Sequence, residues 1–175
     1  PWYREQAEIL APHVDVFLCE TMSHINEAKA AARAASSTGK PVIVSFTLHE
    51  QNLGTLRSGQ SLKSAIAALG EVELEGLCAN CTLPERIFDA MPILAESDLK
   101  YIGGYANAFT HVPDDWLLDG GKITDGPLQL RDDLSPEIYS KFVGQWLNQG
   151  ATLVGGCCGT LPSHIAAIKT SLQSR

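Results

Sequence analysis

Five cysteines are the side chains in this 175-residue chain best suited to chemistry: Cys19 alone, Cys78 and Cys81 three apart, and Cys157 beside Cys158. An odd count with an adjacent pair is a poor disulfide framework, because neighbouring cysteines bridge only with strain. Metal binding or thiol redox chemistry is the better reading. Cys81, Cys157 and Cys158 each follow a short apolar run of the kind that forms a buried strand. Three thiols converging on one rim make a soft site suited to zinc, with one tetrahedral position left open. An open position marks a catalytic site, and its natural fourth ligand is a substrate. If that ligand is a thiol, zinc keeps it as thiolate near neutral pH, where a free thiol with a pKa of roughly 8.5 is mostly protonated. A thioether product binds zinc much less well, so such a site suits alkyl transfer to sulfur.

The elements that must position these residues alternate along the chain. Strands are predicted at Val14–Cys19, Pro41–Phe46, Leu74–Ala79, Lys100–Gly104 and Ala151–Gly155, all short, apolar or β-branched, and bounded by Gly, Pro or charge. Helices are predicted at Ile25–Ala35, Ser61–Leu69, Pro84–Leu94, Glu137–Asn148 and Pro162–Leu172, where apolar residues recur at helical spacing. The chain also opens inside what reads as a helix. Strand–helix alternation with right-handed crossovers gives a parallel α/β sheet with helices outside, which fits an open doubly wound sheet and a piece of a barrel alike. Glu20, Cys81, Asn107 and the Cys157–Cys158 pair then all follow strands, at the edge where parallel α/β proteins build their sites. The stretch Ala106–Pro136, rich in Gly, Asp and Pro, reads as one long loop.

Composition narrows the partners. A net charge of −7 disfavours nucleic acid, since no basic stripe is available to displace phosphate counterions. No apolar run is long enough for a membrane helix, and the start lacks a basic-then-apolar signal, so the expected location is the cytoplasm and the expected partners are small molecules. At 45% hydrophobic the chain is expected to form a single domain over 1–175. The absence of an initiator Met suggests that residues upstream are missing.

Two segments then connect the chain to a known family. Asn80-Cys81-Thr82-Leu83-Pro84-Glu85 resembles the Asn-Cys-Thr-x-Pro-Glu stretch of the homocysteine S-methyltransferases, and Gly155-Gly156-Cys157-Cys158-Gly159-Thr160 matches their Gly-Gly-Cys-Cys-Gly-Thr signature. Glu20-Thr21-Met22 with Glu27-Ala28, Ser45-Phe46-Thr47 and Tyr105-Ala106-Asn107-Ala108 are similar to further family segments, although the last has Ala106 and Phe109 where the family usually has Pro and Gly. The resemblance implies a (β/α)8 TIM barrel, of which this chain supplies the fourth through eighth strands, with the N-terminal strands absent. It implies zinc on Cys81, Cys157 and Cys158, the substrate amino group on Glu20, and methyl transfer to homocysteine or selenohomocysteine to give methionine. The donor stays open among S-methylmethionine, S-adenosylmethionine, betaine and a folate. Five strands cannot close such a barrel, and their free edges invite self-association.

The remaining candidates carry weaker signals. Asn107 is expected in the substrate pocket or as a plain turn residue, and Thr160 as an N-cap or part of a turn whose amides receive the substrate carboxylate. Cys78 and Cys19 read as small core hydrophobes. The alternatives are a non-catalytic module with zinc enclosed by Cys78, Cys81, Cys157 and Cys158, and a redox protein using the Cys78–Cys81 pair. Of His13, His24, His49, His111 and His164, His49 is the best placed for a pocket.

Overall fold

Pairing between neighbours, rather than local propensity, decides where each strand begins. The computed structural model describes residues 2–113 and 128–174, so the central part of the expected loop, 114–127, lies outside the described residues. Helix α1 (Trp2–Leu10) and a 3-10 turn (Ala11–His13) lead to β1 (Phe17–Met22), α2 (Ile25–Ser36), β2 (Val42–Phe46), α3 (Leu62–Ala67) and β3 (Gly76–Asn80). There follow α4 (Pro84–Ala95), β4 (Tyr101–Ala106), α5 (Pro136–Asn148), β5 (Leu153–Gly156) and α6 (Pro162–Gln173). The expected alternation of five strands and their helices is all present. The first strand is the main displacement: it starts three residues late because Phe17 is the first residue with a ladder partner, Val42 of β2. Val16, which looked like strand from its branching alone, is left exposed.

The sheet runs β1-β2-β3-β4-β5, every pair parallel. A doubly wound sheet must reverse its strand order at a switch point, whereas an order that never reverses, with crossovers of one hand, puts every helix on the same face. That is the arrangement of a barrel wall. Side chains sort accordingly with period two. Phe17 and Cys19, Val42, Val44 and Phe46, Leu77 and Ala79, and Ile102 and Ala106 face the helices, in a core completed by Ile87, Met91, Leu94, Tyr139, Val143 and Trp146. Ile43, Cys78 and Tyr105 form a small separate cluster on the opposite, inner face, with Tyr101, Leu153 and Cys157 packed against it.

Local chemistry explains the helix starts. Ser135 caps α5 by accepting from the Ile138 amide, with Pro136 in the first turn where its missing N–H costs nothing. Pro84 and Pro162 open α4 and α6 in the same way. Tyr139 then ties helix to sheet: its hydroxyl accepts from the Ala106 amide at 2.9 Å and donates to the Gly155 carbonyl at 2.8 Å, clamping the ends of β4 and β5 together. Where these two strands run side by side, Gly103 leaves no room for a side chain, since a Cβ there would lie 1.7 Å from the Leu153 carbonyl oxygen. Gly103→Ala is expected to destabilise the fold by about 1–3 kcal/mol or more, because the clash is with backbone and cannot be relieved by a rotamer change. The midpoint of urea unfolding reads this directly, and an unchanged midpoint would show that β4 and β5 can spread.

Candidate metal and thiol site

The sulfurs of Cys81, Cys157 and Cys158 all lie within 4.8 Å of one another at the C-terminal ends of β3 and β5. Cys158 Sγ is 3.8 Å from Cys81 Sγ and 3.9 Å from Cys157 Sγ. Thiolates at the corners of a tetrahedron with metal–sulfur bonds of about 2.3 Å are about 3.8 Å apart, so the spacing of the donor set fits a single zinc-sized ion. All five cysteines are free thiols.

Three backbone devices create this convergence. Cys81 follows β3 in a left-handed conformation, φ 51°, which turns the chain over the rim. Its amide donates to the Tyr105 carbonyl, and its own carbonyl accepts from the Thr47 hydroxyl at 3.3 Å. On the other side, the Cys157 amide donates to the Ala106 carbonyl at 2.9 Å and the Ala108 amide donates to the Cys158 carbonyl at 2.8 Å. The end of β4 thus holds both cysteine segments. The Gly-rich flanks are steric requirements. A Cβ on Gly156 would lie 2.4 Å from the Thr160 hydroxyl oxygen, and Gly159 sits at φ 78° with Leu130 where a Cβ would go.

Electrostatics divide the three thiols. The Cys81 thiol donates toward Cys157 and so holds Cys157 well below the usual thiol range, with the Cys158 amide and Asn80 helping. Cys81 is pushed up in return, first by that bond and then by burial. Cys158, the most exposed of the three, is raised by desolvation and by its neighbour's charge. Cys157 is thus the thiol of the three whose ionised form its neighbours favour.

The other candidate residues fall in various places. Glu20 is not beyond β1 but within it, because the strand runs on to Met22. It is exposed on the inner edge, and its carboxylate accepts from the Tyr105 hydroxyl at 3.2 Å. Burial and this carboxylate both keep the phenol protonated. Asn107 is fully buried; its Oδ1 accepts from the Phe109 amide, its backbone amide donates to the Thr82 carbonyl, and its Nδ2 has no partner among the described residues. It turns the chain without the left-handed backbone expected of a turn Asn. Thr160 is not an N-cap, since α6 starts two residues later with Leu161 in that position. Its amide and hydroxyl both donate to the Cys157 carbonyl, at 3.1 and 2.7 Å, which closes the cysteine turn and takes that amide away from any substrate carboxylate.

Cys78 is buried in β3 against Ile43 and Tyr105, its thiol pushed up to about 12 by burial, and it stands outside the three-sulfur group. Cys19 packs against the helix-side core and is pushed up to about 11 for the same reason. Among the histidines, His24 caps α2, His164 is buried with its ring between the Leu161 amide and the Leu134 carbonyl, and His111 pairs with Glu50. His49 accepts from the Gln51 and Asn52 amides in a loop turn. Sequence reasoning passed over Tyr105 and Asn80 as site residues, although period-two alternation from Cys78 already puts Asn80 on the inner face.

The chain matches the homocysteine S-methyltransferase family over residues 1–172. Similar curated proteins include a selenocysteine Se-methyltransferase of Brassica oleracea var. italica, 26% identical over 99% of this chain and 48% of its own length. The homocysteine S-methyltransferase of Escherichia coli (strain K12) is 29% identical over 96% of this chain and 51% of its own. This chain thus spans about half the length of these relatives. Among solved structures, the metallated form of the Escherichia coli homocysteine methyltransferase MmuM aligns with a TM-score of 0.71 at 24% identity, covering 97% of this chain and 51% of that one. At that identity the likeness shows the fold, a TIM-barrel wall, in agreement with the unreversed strand order.

The proton distribution in the cluster generates one prediction. In metal-free protein at pH 7, iodoacetamide is expected to alkylate Cys157 first and Cys78 last, because attack requires thiolate and access. Peptide mapping over time reads the order, and early labelling of Cys78 would contradict both its burial and its raised pKa.

Proposed function

The chain belongs to the homocysteine S-methyltransferase family, and from this membership and the sulfur triad we propose that it takes part in zinc-dependent methyl transfer to the thiol of homocysteine, or the selenol of selenohomocysteine. The observation that carries the reading is the spacing of Cys81, Cys157 and Cys158, which matches three corners of a zinc–thiolate tetrahedron. Zinc held there would keep a substrate thiol ionised near neutral pH in the fourth position. Glu20 binds the substrate ammonium, and the Tyr105 hydroxyl orients that carboxylate. Asn107, at the end of β4, is assigned to the wall of the substrate pocket, its buried Nδ2 having no partner among the described residues. The substrate sulfur attacks the donor's methyl carbon in line; the new S–C bond forms as the donor–methyl bond breaks, and the electron pair leaves with the donor. A donor that departs as a neutral thioether or amine needs no general acid, so orientation supplies much of the rate.

The five β/α units correspond in this proposal to the C-terminal portion of a barrel, read as one domain, and the free edges of β1 and β5 are where self-association would occur. The expected setting is the cytoplasm. Among the described residues no helix is long and apolar enough to cross a membrane. The closed four-cysteine alternative is disfavoured by the place of Cys78, whose thiol stays outside the group.

Metal analysis after dialysis separates these readings. Wild type and Cys78→Ser are expected to hold about one zinc per chain, while Cys81→Ser and Cys157→Ser lose it, since two remaining thiolates make a far weaker site. Equal loss in Cys78→Ser would restore the four-cysteine module. With zinc bound, homocysteine and each candidate donor in turn are expected to yield methionine with at least one donor. Glu20→Gln is expected to raise the KM for homocysteine by roughly tenfold, the worth of one charge-assisted hydrogen bond. Zinc-loaded protein that methylates neither homocysteine nor its selenium analogue would sink the proposal.

A further inference from the structure

Asn80 touches neither substrate nor donor in the chemistry above, yet its side chain connects two parts of the site. It is fully buried at the end of β3, on the inner face. Its Oδ1 accepts from the Thr21 backbone amide at 2.8 Å, and its Nδ2 donates to the Thr21 hydroxyl at 2.8 Å. The same Nδ2 lies 4.0 Å from the Cys157 sulfur. Thr21 follows Glu20 directly, at φ 63°, a left-handed conformation that a β-branched residue rarely adopts. It sits where the β1–β2 register breaks between Cys19 and Met22, out of step with the ladder to β2. Asn80 supplies from two strands away what the ladder does not.

We propose that Asn80 is a positioning residue: by holding the Glu20–Thr21 bulge to the end of β3 and to Cys157, it sets the carboxylate for the substrate amine in register with the sulfur cluster. The inference rests on the roles given above to Glu20 and the three cysteines. Homocysteine separates its sulfur and nitrogen by a short carbon chain of fixed reach, so the two subsites must be spaced to match. Glu20 cannot hold that spacing alone, being exposed and, among the described residues, tied by its side chain to Tyr105. The clamp uses an acceptor and a donor on one planar group, the acceptor holding the Thr21 backbone and the donor its hydroxyl. Asparagine has both, whereas alanine has neither and aspartate keeps only the acceptor.

The test uses the Co(II)-loaded chain, whose thiolate-to-cobalt absorption reports both metal binding and entry of a further thiol. It is titrated with homocysteine and with 4-mercaptobutyrate, which is homocysteine without its amino group. Wild type is expected to prefer homocysteine by roughly tenfold or more. Asn80→Ala is expected to keep its cobalt but to bind both thiols alike, and Asn80→Asp to recover most of the preference through the bond to the Thr21 amide. Full preference in Asn80→Ala, or none in Asn80→Asp, overturns the proposal, as does equal affinity of wild type for the two thiols. If Asn80→Ala does not fold, Thr21→Pro at an exposed position breaks the same bond and forbids the positive φ; a preference that survives there overturns the proposal equally. Wild type that binds cobalt but neither thiol sinks the functional reading itself.

Discussion

The structure depends on closing sulfur atoms over a strand. Cys81 follows β3 and the Cys157–Cys158 pair follows β5, and β4 lies between them. Neighbouring strands are about 4.8 Å apart, so β3 and β5 stand roughly 10 Å apart, whereas a metal needs its sulfurs within about 4 Å. The chain bridges this gap with backbone. Cys81 turns inward through its left-handed conformation, and the Cys157 turn is drawn in by bonds to Ala106 and Ala108 at the end of β4. Gly103 brings β5 hard against β4, and the Tyr139 hydroxyl holds the two strand ends together from behind.

Two strained backbone positions lie on the same rim. Of the three non-glycine residues with positive φ among the described residues, Thr21 and Cys81 flank the site, and each conformation of this kind costs on the order of 1–3 kcal/mol. Both are offset by hydrogen bonds from other strands: Asn80 holds Thr21, while Tyr105 and Thr47 hold Cys81. The helix side of the sheet provides the stability that tolerates this. Its core runs from β1 to β5, while among the described residues the inner face carries a small apolar cluster beside Glu20 and Asn80. One sheet therefore has a face that holds the fold and a face that holds the chemistry.

Much of this was legible in the residues. Short β-branched runs between amphipathic stretches announced parallel α/β, and Pro84 and Pro162 marked the starts of their helices. The cysteines separated correctly into three at strand ends and two within apolar segments, because a strand end is visible where branching gives way to Gly, Pro or polar residues. Failures came where a partner far along the chain decides the outcome. Val14–Val16 looked like strand, but β2 offers no pairing before Val42. Thr160 looked like a cap, but its hydroxyl and amide are taken by Cys157.

By itself the sequence determined the order of elements and which thiols follow strands at one edge, since these follow from periodicity and from which residues end a strand. It also carried the family, through two motifs whose glycines and cysteines are demanded by sterics and donor chemistry. Only the tertiary structure decided the distances among the sulfurs, the pairing of Tyr105 with Glu20 and the reach of Asn80 to Thr21 and Cys157. Those contacts join residues 59 to 85 positions apart. They exist because parallel strands bring their C-terminal ends to a common rim, and local chain preferences do not contain the spacing between strands that never touch.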